Sequence, residues 1–261
     1  MFAEERQRLV AARVAEAGRV SVTELADRFS VTTETVRRDL AALEAAGVLR
    51  RVHGGAVPAD RASTAETALF ERQVQNLAEK QRMADAAAAL ITSSRAGSIL
   101  LDAGSSTEAI AERLLGSRAD NGRELVVMTN ALPIADKLAA EPGLAVHLLG
   151  GRIRPVTRAA VGQATIDAVE RLRPDLAFVG ANGVHPAFGI STPDAEEAAV
   201  KAAFVRSARR VVVIADHTKF NVETLVQFGR LDQLDTLVTD RAPEGDLAAA
   251  LAEAGVEVVT S

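Results

Sequence analysis

From Ser98 onward, short runs rich in Val, Ile and Leu alternate with stretches of helical character, and this alternation constrains the fold more than any other feature. The runs are Ile99–Leu101, Leu125–Met128, Val146–Leu149, Ala177–Val179, Val211–Ala215, Thr236–Val238 and Val256–Val259. Strands separated by helices in this way predict a parallel, doubly wound α/β sheet. In such a sheet ligands sit outside the carboxyl ends of the strands. The residues that follow each strand are therefore the first candidates for function.

After the first strand comes Asp102-Ala103-Gly104-Ser105-Ser106-Thr107, opening a helix over 107–115. Small residues let the backbone approach an anion closely. The helix N-terminus then aims N–H groups and a partial positive charge at it. The hydroxyls of Ser105, Ser106 and Thr107 add donors. A capped turn that binds nothing is the plainer reading. The other strand ends carry Thr129-Asn130, Gly150-Gly151-Arg152, Gly180-Ala181-Asn182-Gly183 and Asp216-His217-Thr218-Lys219. A ring of glycines, amides, hydroxyls and one cation suits a small phosphorylated polyol, although Lys219 also reads as a surface loop lysine. Thr192, Glu196, Glu197 and Lys201 have two readings as well. Glu197 and Lys201 are i, i+4 and predict a surface ion pair, while a carboxylate here can also bind sugar hydroxyls. The helical stretch Leu69–Ile91 carries Glu71, Arg72, Gln73 and Lys80, either as a solvated face or within reach of the ligand.

Composition narrows the ligand chemistry. Eight Phe with no Tyr or Trp leave little to stack on sugar rings, bases or single-stranded nucleic acid. The absence of Cys excludes disulfides, zinc fingers, iron–sulfur clusters and thiol nucleophiles. His53, His147, His185 and His217 lack paired metal-ligand spacing, so neither metal nor cofactor is expected. Charges stand where a signal peptide needs an apolar core. The apolar runs fall well short of the roughly 20 residues of a membrane span. The expectation is a cytoplasmic protein without a membrane partner.

The first sixty residues differ in character. Residues 1–61 hold ten Arg, no Lys and nine acidic residues, a balance of +1 against −6 for the remainder. Arginine suits bidentate contact with phosphate and guanine. Leu9, Val10, Val14 and Ala17 recur at helical spacing up to Gly18. Ser21 caps a second helix, its hydroxyl accepting from the Glu24 N–H while the Glu24 carboxylate reaches back. Leu25, Ala26 and Phe29 form the apolar side of that helix. Thr32 caps a third, which buries Val36, Leu40 and Leu43 and ends at Gly47. Val48–Val57 then reads as a hairpin with a Gly-Gly turn. Together these make an α+β winged helix-turn-helix. Its third helix would present Thr32, Thr33, Thr35, Arg37 and Arg38 to a major groove, and Arg50, Arg51 and His53 of the wing would grip backbone or minor groove. The competing reading is a solvated face on a small protein-interaction bundle.

Thr32-Thr33-Glu34-Thr35-Val36-Arg37-Arg38-Asp39-Leu40, with Gly47-Val48-Leu49-Arg50-Arg51-Val52-His53-Gly54-Gly55-Ala56, resembles the N-terminal signature of the DeoR/GlpR family of bacterial transcriptional repressors. Residues 98–220 resemble that family's sensor domain, which shares its fold with ribose-5-phosphate isomerase. The pieces that match are Asp102–Thr107, Thr129-Asn130, Gly150-Gly151, Gly180–Gly183, Glu196–Lys201 and Ala215–Phe220. The resemblance implies binding to double-stranded operator DNA and control by a sugar phosphate held at these strand ends. Asn182 departs from it, since the family more often has Asp there. Relative to the isomerase's Asp-Gly-Ala-Asp-Glu stretch, Val179-Gly180-Ala181-Asn182-Gly183 has lost every carboxylate. That implies a sensor without catalysis, with a sugar-phosphate isomerase as the alternative.

The expected organisation is a DNA-binding domain over 1–57, a linker and connecting helix over 58–92, and a sensor domain over 93–261. A homo-oligomer, dimer or tetramer, is expected on a repeated or palindromic operator. The opening residues and the wing are similar to those of fructose-operon repressors, which points to fructose 1-phosphate. Glycerol 3-phosphate and other phosphorylated sugars remain open.

Overall fold

The computed structural model describes residues 3–17, 20–46, 48–52, 54–58, 66, 69–116 and 124–261. The chain divides into two units, Met1–Ala65 and Glu66–Ser261. Of the features read from sequence, Gly18, Gly47, His53, most of the 58–67 hinge, and the side chains of Arg50 and Glu71 lie outside the described set.

The first unit runs α1 (Ala3–Ala17), β1 (Val20–Ser21), α2 (Val22–Phe29), α3 (Thr33–Ala45), β2 (Leu49–Val52) and β3 (Gly55–Pro58). Ser21 caps α2, its hydroxyl accepting from the Glu24 N–H at 3.0 Å. The Glu24 carboxylate does not reach back as expected, but pairs with Arg13 at 3.3 Å. Ser30 ends α2 in the left-handed region (φ 53°). Two residues later the Thr32 hydroxyl caps α3, accepting from the Thr35 N–H at 3.2 Å. Val10, Val14, Leu25, Val36, Leu40 and Leu49 close the core. Against it lies a buried ion pair, Arg6 Nε to Asp39 at 2.6 Å. The sheet has three strands, ordered β1-β3-β2, one more than the hairpin alone. Val52 pairs with Gly55, which already belongs to the strand, and Gly54 before it stands at φ +74°. Gly55 also pairs with Ser21 of β1, and a Cβ there would collide with the Val20 carbonyl.

The second unit begins with α4 (Leu69–Val74) and α5 (Leu77–Ser94). The single helix expected over 69–91 breaks at Asn76 (φ 50°). The break leaves the carbonyls of Arg72 and Gln75 without helical donors, and Lys80 Nζ donates to both. The chain continues through β4 (Ser98–Leu101), α6 (Ser105–Leu114), β5 (Leu125–Thr129), α7 (Leu132–Leu138), β6 (Leu144–Leu148), β7 (Arg152–Arg154), β8 (Ala159–Val161), α8 (Gln163–Glu170), β9 (Leu176–Gly180), β10 (Gly183–His185), β11 (Gly189–Thr192), α9 (Ala195–Ser207), β12 (Arg210–Ile214), β13 (Val226–Gly229), β14 (Thr236–Thr239), α10 (Gly245–Glu253) and β15 (Glu257–Thr260). Seven parallel strands form one sheet, ordered β15-β14-β12-β9-β4-β5-β6. Its core strands are sealed: Ile99, Leu100, Leu101, Phe178 and Val212 are fully buried. Met83, Ala84 and Ala87 of α5 pack into the same core, as does Phe204 of α9. All seven runs read from sequence fall in this sheet. The β7–β8 hairpin and the β10-β11-β13 sheet were not read from sequence. Arg152-Ile153-Arg154 and Gly183-Val184-His185 are too polar and too short to signal strands.

Candidate effector and DNA sites

Three neighbouring strands of the sheet, β4, β9 and β12, end at one open cleft in the second unit. Beneath it α6 starts. Gly104 is its N-cap and offers no side chain, so the first N–H groups of the helix meet the cleft directly, flanked by Ser105 and Ser106. Free N–H groups and the macrodipole make such a terminus attractive to an anion. The end of β9 contributes Gly180, Ala181 and Asn182. The end of β12 contributes Ala215 and Asp216, followed by Lys219 on a single 3-10 turn. The α4–α5 break brings Arg72, Gln75, Asn76 and Lys80 to the opposite wall.

The electrostatics are unusual in the number of cations held away from water. Lys80 is buried, and burial, reinforced by Lys219 and Arg72, pushes its ammonium down to about 8 against the partial support of Asp216. Burial pushes the Asp216 carboxyl up, but Lys219 and the hydrogen bonds from Thr218 prevail and hold it below the usual range. Lys201 is buried and donates to Asp102 and to the Gly180 carbonyl, the latter at 2.9 Å. Glu197 is raised above the ordinary carboxylate range by burial, which outweighs Lys201, Thr157 and Arg154. Arg72 holds Nε and Nη2 buried without a hydrogen-bond acceptor, its nearest carboxylate being Glu66 at 3.9 Å. Unspent donors and a destabilised ammonium in one cleft are what an anionic ligand relieves.

The expected ligand residues separate into three groups. Gly104, Ser105, Ser106, Asn182, Glu197 and Lys219 line the cleft. Asp102 and Asn130 lie behind it, in a small hollow shared with Glu197 and Lys201. The others are occupied elsewhere. The Thr107 hydroxyl donates to the carbonyls of Asp102 (2.8 Å) and Gly104 (3.0 Å). Thr129 Oγ1 accepts from the Ala131 N–H at 3.0 Å. The Gly150 carbonyl accepts from Thr165 at 2.8 Å, and a Cβ at Gly151 would strike that same threonine. Thr192 is buried and donates to Asn182 Oδ1 at 3.1 Å, which orients that amide. Glu196 is exposed and pairs with Arg152.

Sequence reasoning missed Lys201 as a cleft residue. Read with Glu197 as a surface pair, it is buried, as is Glu197, and its ion-pair partner is Asp102 of a different element. Gln75 and Asn76 were also left out, Asp216 was read only as part of its strand end, and Arg72 and Lys80 were weighed only as a secondary reading. One signal points to the lysines. The chain has four, and three of them, Lys80, Lys201 and Lys219, meet at this cleft.

In the first unit, Thr33, Arg37 and Arg38 are exposed on α3, opposite buried Val36 and Leu40. Arg37 is 3.7 Å from Glu34 with both side chains mostly exposed, so the pair is loose. Thr32 and Thr35 share a hydroxyl hydrogen bond of 2.9 Å at the cap. Asp39, on the same helix, is buried and serves the core. Arg50 and Arg51 lie on β2, and the Arg51 guanidinium is held by Glu44 at 2.6 Å. Among the described residues, no group of three or more His, Asp or Glu could hold a metal ion, and no helix is long and apolar enough to cross a membrane.

Comparison with known proteins adds family evidence to this geometry. The DeoR-like helix-turn-helix domain matches residues 6–62, and the DeoR C terminal sensor domain matches residues 75–241. The HTH-type transcriptional regulator GlpR of Haloferax volcanii is 33% identical over 259 residues, covering 99% of this chain and 98% of that protein. The glycerol-3-phosphate regulon repressor of Escherichia coli is 31% identical over 230 residues, 88% of each. Among solved structures, ribose 5-phosphate isomerase A from Methanocaldococcus jannaschii superposes at a TM-score of 0.41, with 17% identity over 57% of this chain and 56% of that one.

Proposed function

This chain belongs to the DeoR family of transcriptional regulators, and on that premise we propose that it represses a carbohydrate-metabolism operon under the control of a phosphorylated sugar. In this reading α3 enters the major groove of operator DNA. Arg37 and Arg38 meet base edges or phosphate, the threonines at the helix start contact bases or backbone, and the wing carrying Arg50, Arg51 and His53 grips the flanking groove. A homo-oligomer, dimer or tetramer, reads repeated half-sites in the cytoplasm, because paired modules multiply one module's modest affinity.

The observation that carries the effector reading is the meeting of the α6 N-terminus with Arg72, Lys80 and Lys219 around one cleft. A phosphate dianion there receives the N–H groups of α6, the hydroxyls of Ser105 and Ser106, and several cations. Asn182 and Glu197 meet the sugar. Binding with different affinity to the DNA-competent and DNA-incompetent arrangements then shifts their populations. Fructose 1-phosphate and glycerol 3-phosphate head the candidate effectors; the second is suggested by the name of the E. coli relative. The chain acts as a sensor and not as an isomerase, since Val179, Asn182 and Gly183 replace the acidic positions of the isomerase stretch.

Thermal-shift screening of the full chain against sugar phosphates tests this, because a ligand specific for the folded state raises the melting point by mass action. One sugar phosphate should raise it and alter operator affinity. Lys219→Ala should bind operator as wild type does while losing that response. Isomerisation of a sugar phosphate at an enzyme-like rate, or a normal response from Lys219→Ala, would overturn the reading.

A further inference from the structure

At the carboxyl ends of adjacent strands β4 and β5, two buried oxygens have no hydrogen-bond partner: Oδ1 of Asp102 and Oδ1 of Asn130. The residues are only 1% and 4% exposed. Their remaining polar atoms are committed. Asp102 Oδ2 accepts from the Gly180 N–H at 2.9 Å and from Lys201 Nζ, and Asn130 Nδ2 donates to the Ala160 carbonyl at 2.9 Å. Buried acceptors are almost always paired, so two open ones in one place require an explanation.

Both residues line the same small hollow, with Ala159, Val200 and Phe204 as its apolar side. Ala103, Glu197 and Lys201 line this hollow and the large cleft alike, so the hollow adjoins the cleft. Gly104 and Gly180, on the cleft floor, leave Asp102 uncovered: a Cβ at either would stand 3.7 or 3.8 Å from its Oδ1. The hollow has room for about one water-sized group.

We propose that this hollow is a hydroxyl-recognition subsite, which takes a sugar hydroxyl of a ligand whose phosphate sits at the start of α6. The proposal rests on the effector reading above and adds the place where one hydroxyl of that ligand is recognised. Two open acceptors call for a donor. A carboxylate or second phosphate is repelled by Asp102 and Glu197, and an ammonium offers no acceptor to the N–H that Lys201 has left after Asp102 and Gly180. A neutral hydroxyl donates its one proton to either Asp102 or Asn130 and accepts from Lys201, so it fills one of the two open acceptors and pairs the lysine as well. The apolar side of the hollow accommodates the ligand's C–H groups. Adjacent strands lie about 4.8 Å apart, so a phosphate over α6 and a hydroxyl between β4 and β5 need a carbon chain between them. Inorganic phosphate cannot bridge that gap.

The test is calorimetry on the full chain with fructose 1-phosphate, glycerol 3-phosphate, ribose 5-phosphate and inorganic phosphate. The tightest binder is then compared with its singly deoxygenated analogues. A site built to hydrogen-bond a hydroxyl rejects the analogue lacking it, so at least one analogue should bind fivefold or more weakly. Ala159→Val, which narrows the hollow with two methyl groups, should weaken the parent ligand at least fivefold and leave inorganic phosphate unchanged. The comparison of ligands needs only the wild-type chain, so it stands even where the variant misfolds. Smaller losses for every analogue, or a fully folded Ala159→Val that binds the parent normally, would overturn the subsite while leaving the phosphate site intact. If none of the four ligands binds, the effector reading fails and the subsite fails with it.

Discussion

Lys80 gives the cleft a definite pH dependence. Its ammonium is held at about 8 against an ordinary value of 10.5. At about 1.4 kcal/mol per tenfold change, keeping that proton in the free protein costs about 3 kcal/mol. A phosphate dianion beside the ammonium offsets the cost and moves its titration back upward. The free protein therefore carries a charged Lys80 below pH 8 and a largely neutral one above it, whereas the complex stays charged. Affinity should be level near pH 7.5, where the phosphate is already dianionic, and should fall by up to about tenfold per pH unit above 8. Binding at pH 8.5–9 should take up a fraction of a proton. Titration calorimetry in two buffers of different ionisation enthalpy measures both quantities. Lys80→Met should bind the same ligand at least tenfold more weakly at pH 7.5 and show no fall above pH 8. It also leaves the carbonyls of Arg72 and Gln75 uncapped, at about 1 kcal/mol each. Relief of the buried ammonium opposes that loss, so the variant should melt within a few degrees of wild type. Flat wild-type affinity from pH 7.5 to 9.5 without proton uptake, or an unchanged slope in Lys80→Met, would refute the reasoning.

Other expectations concern the first unit. Arg37→Ala should weaken operator binding by about 1–3 kcal/mol and relax base preference in a fluorescence-anisotropy competition between operator variants. Gly55→Ala drives a methyl group into the Val20 carbonyl, so it should lower the melting point and abolish operator binding together, while sugar-phosphate binding by the second unit persists. Arg6→Met leaves Asp39 buried without its guanidinium partner and should destabilise the first unit by about 3–5 kcal/mol, read as an earlier denaturant transition.

The seven parallel strands were legible because each is a short run rich in apolar, mostly β-branched or Leu residues, and the caps at Ser21 and Thr32 because side-chain oxygen and helix start are local in sequence. The position of one strand end was legible for the same reason. Gly104, Ser105 and Ser106 follow a strand and open a helix, and that context alone places them at the cleft. What sequence could not carry is pairing across distance. Lys201 was read with its helical neighbour Glu197, yet its partner Asp102 is 99 residues away in the chain. The break at Asn76 was invisible for a related reason. A helical apolar pattern runs through it, and only the capping of the freed carbonyls by Lys80, together with the cleft beyond, accounts for a left-handed residue there. Thr107, Thr129 and Thr192 show the reverse: hydroxyls at strand ends look available in sequence, and each is taken by a nearby backbone or amide group.

Co-crystallisation of the full chain with the sugar phosphate that most raises its melting point tests the central idea most directly. The phosphorus should lie within hydrogen-bonding reach of the Ser105 and Ser106 N–H groups, with the Lys80 and Lys219 ammonium groups around it. A well-ordered ligand bound anywhere else on the second unit, with the start of α6 left bare, would contradict the account.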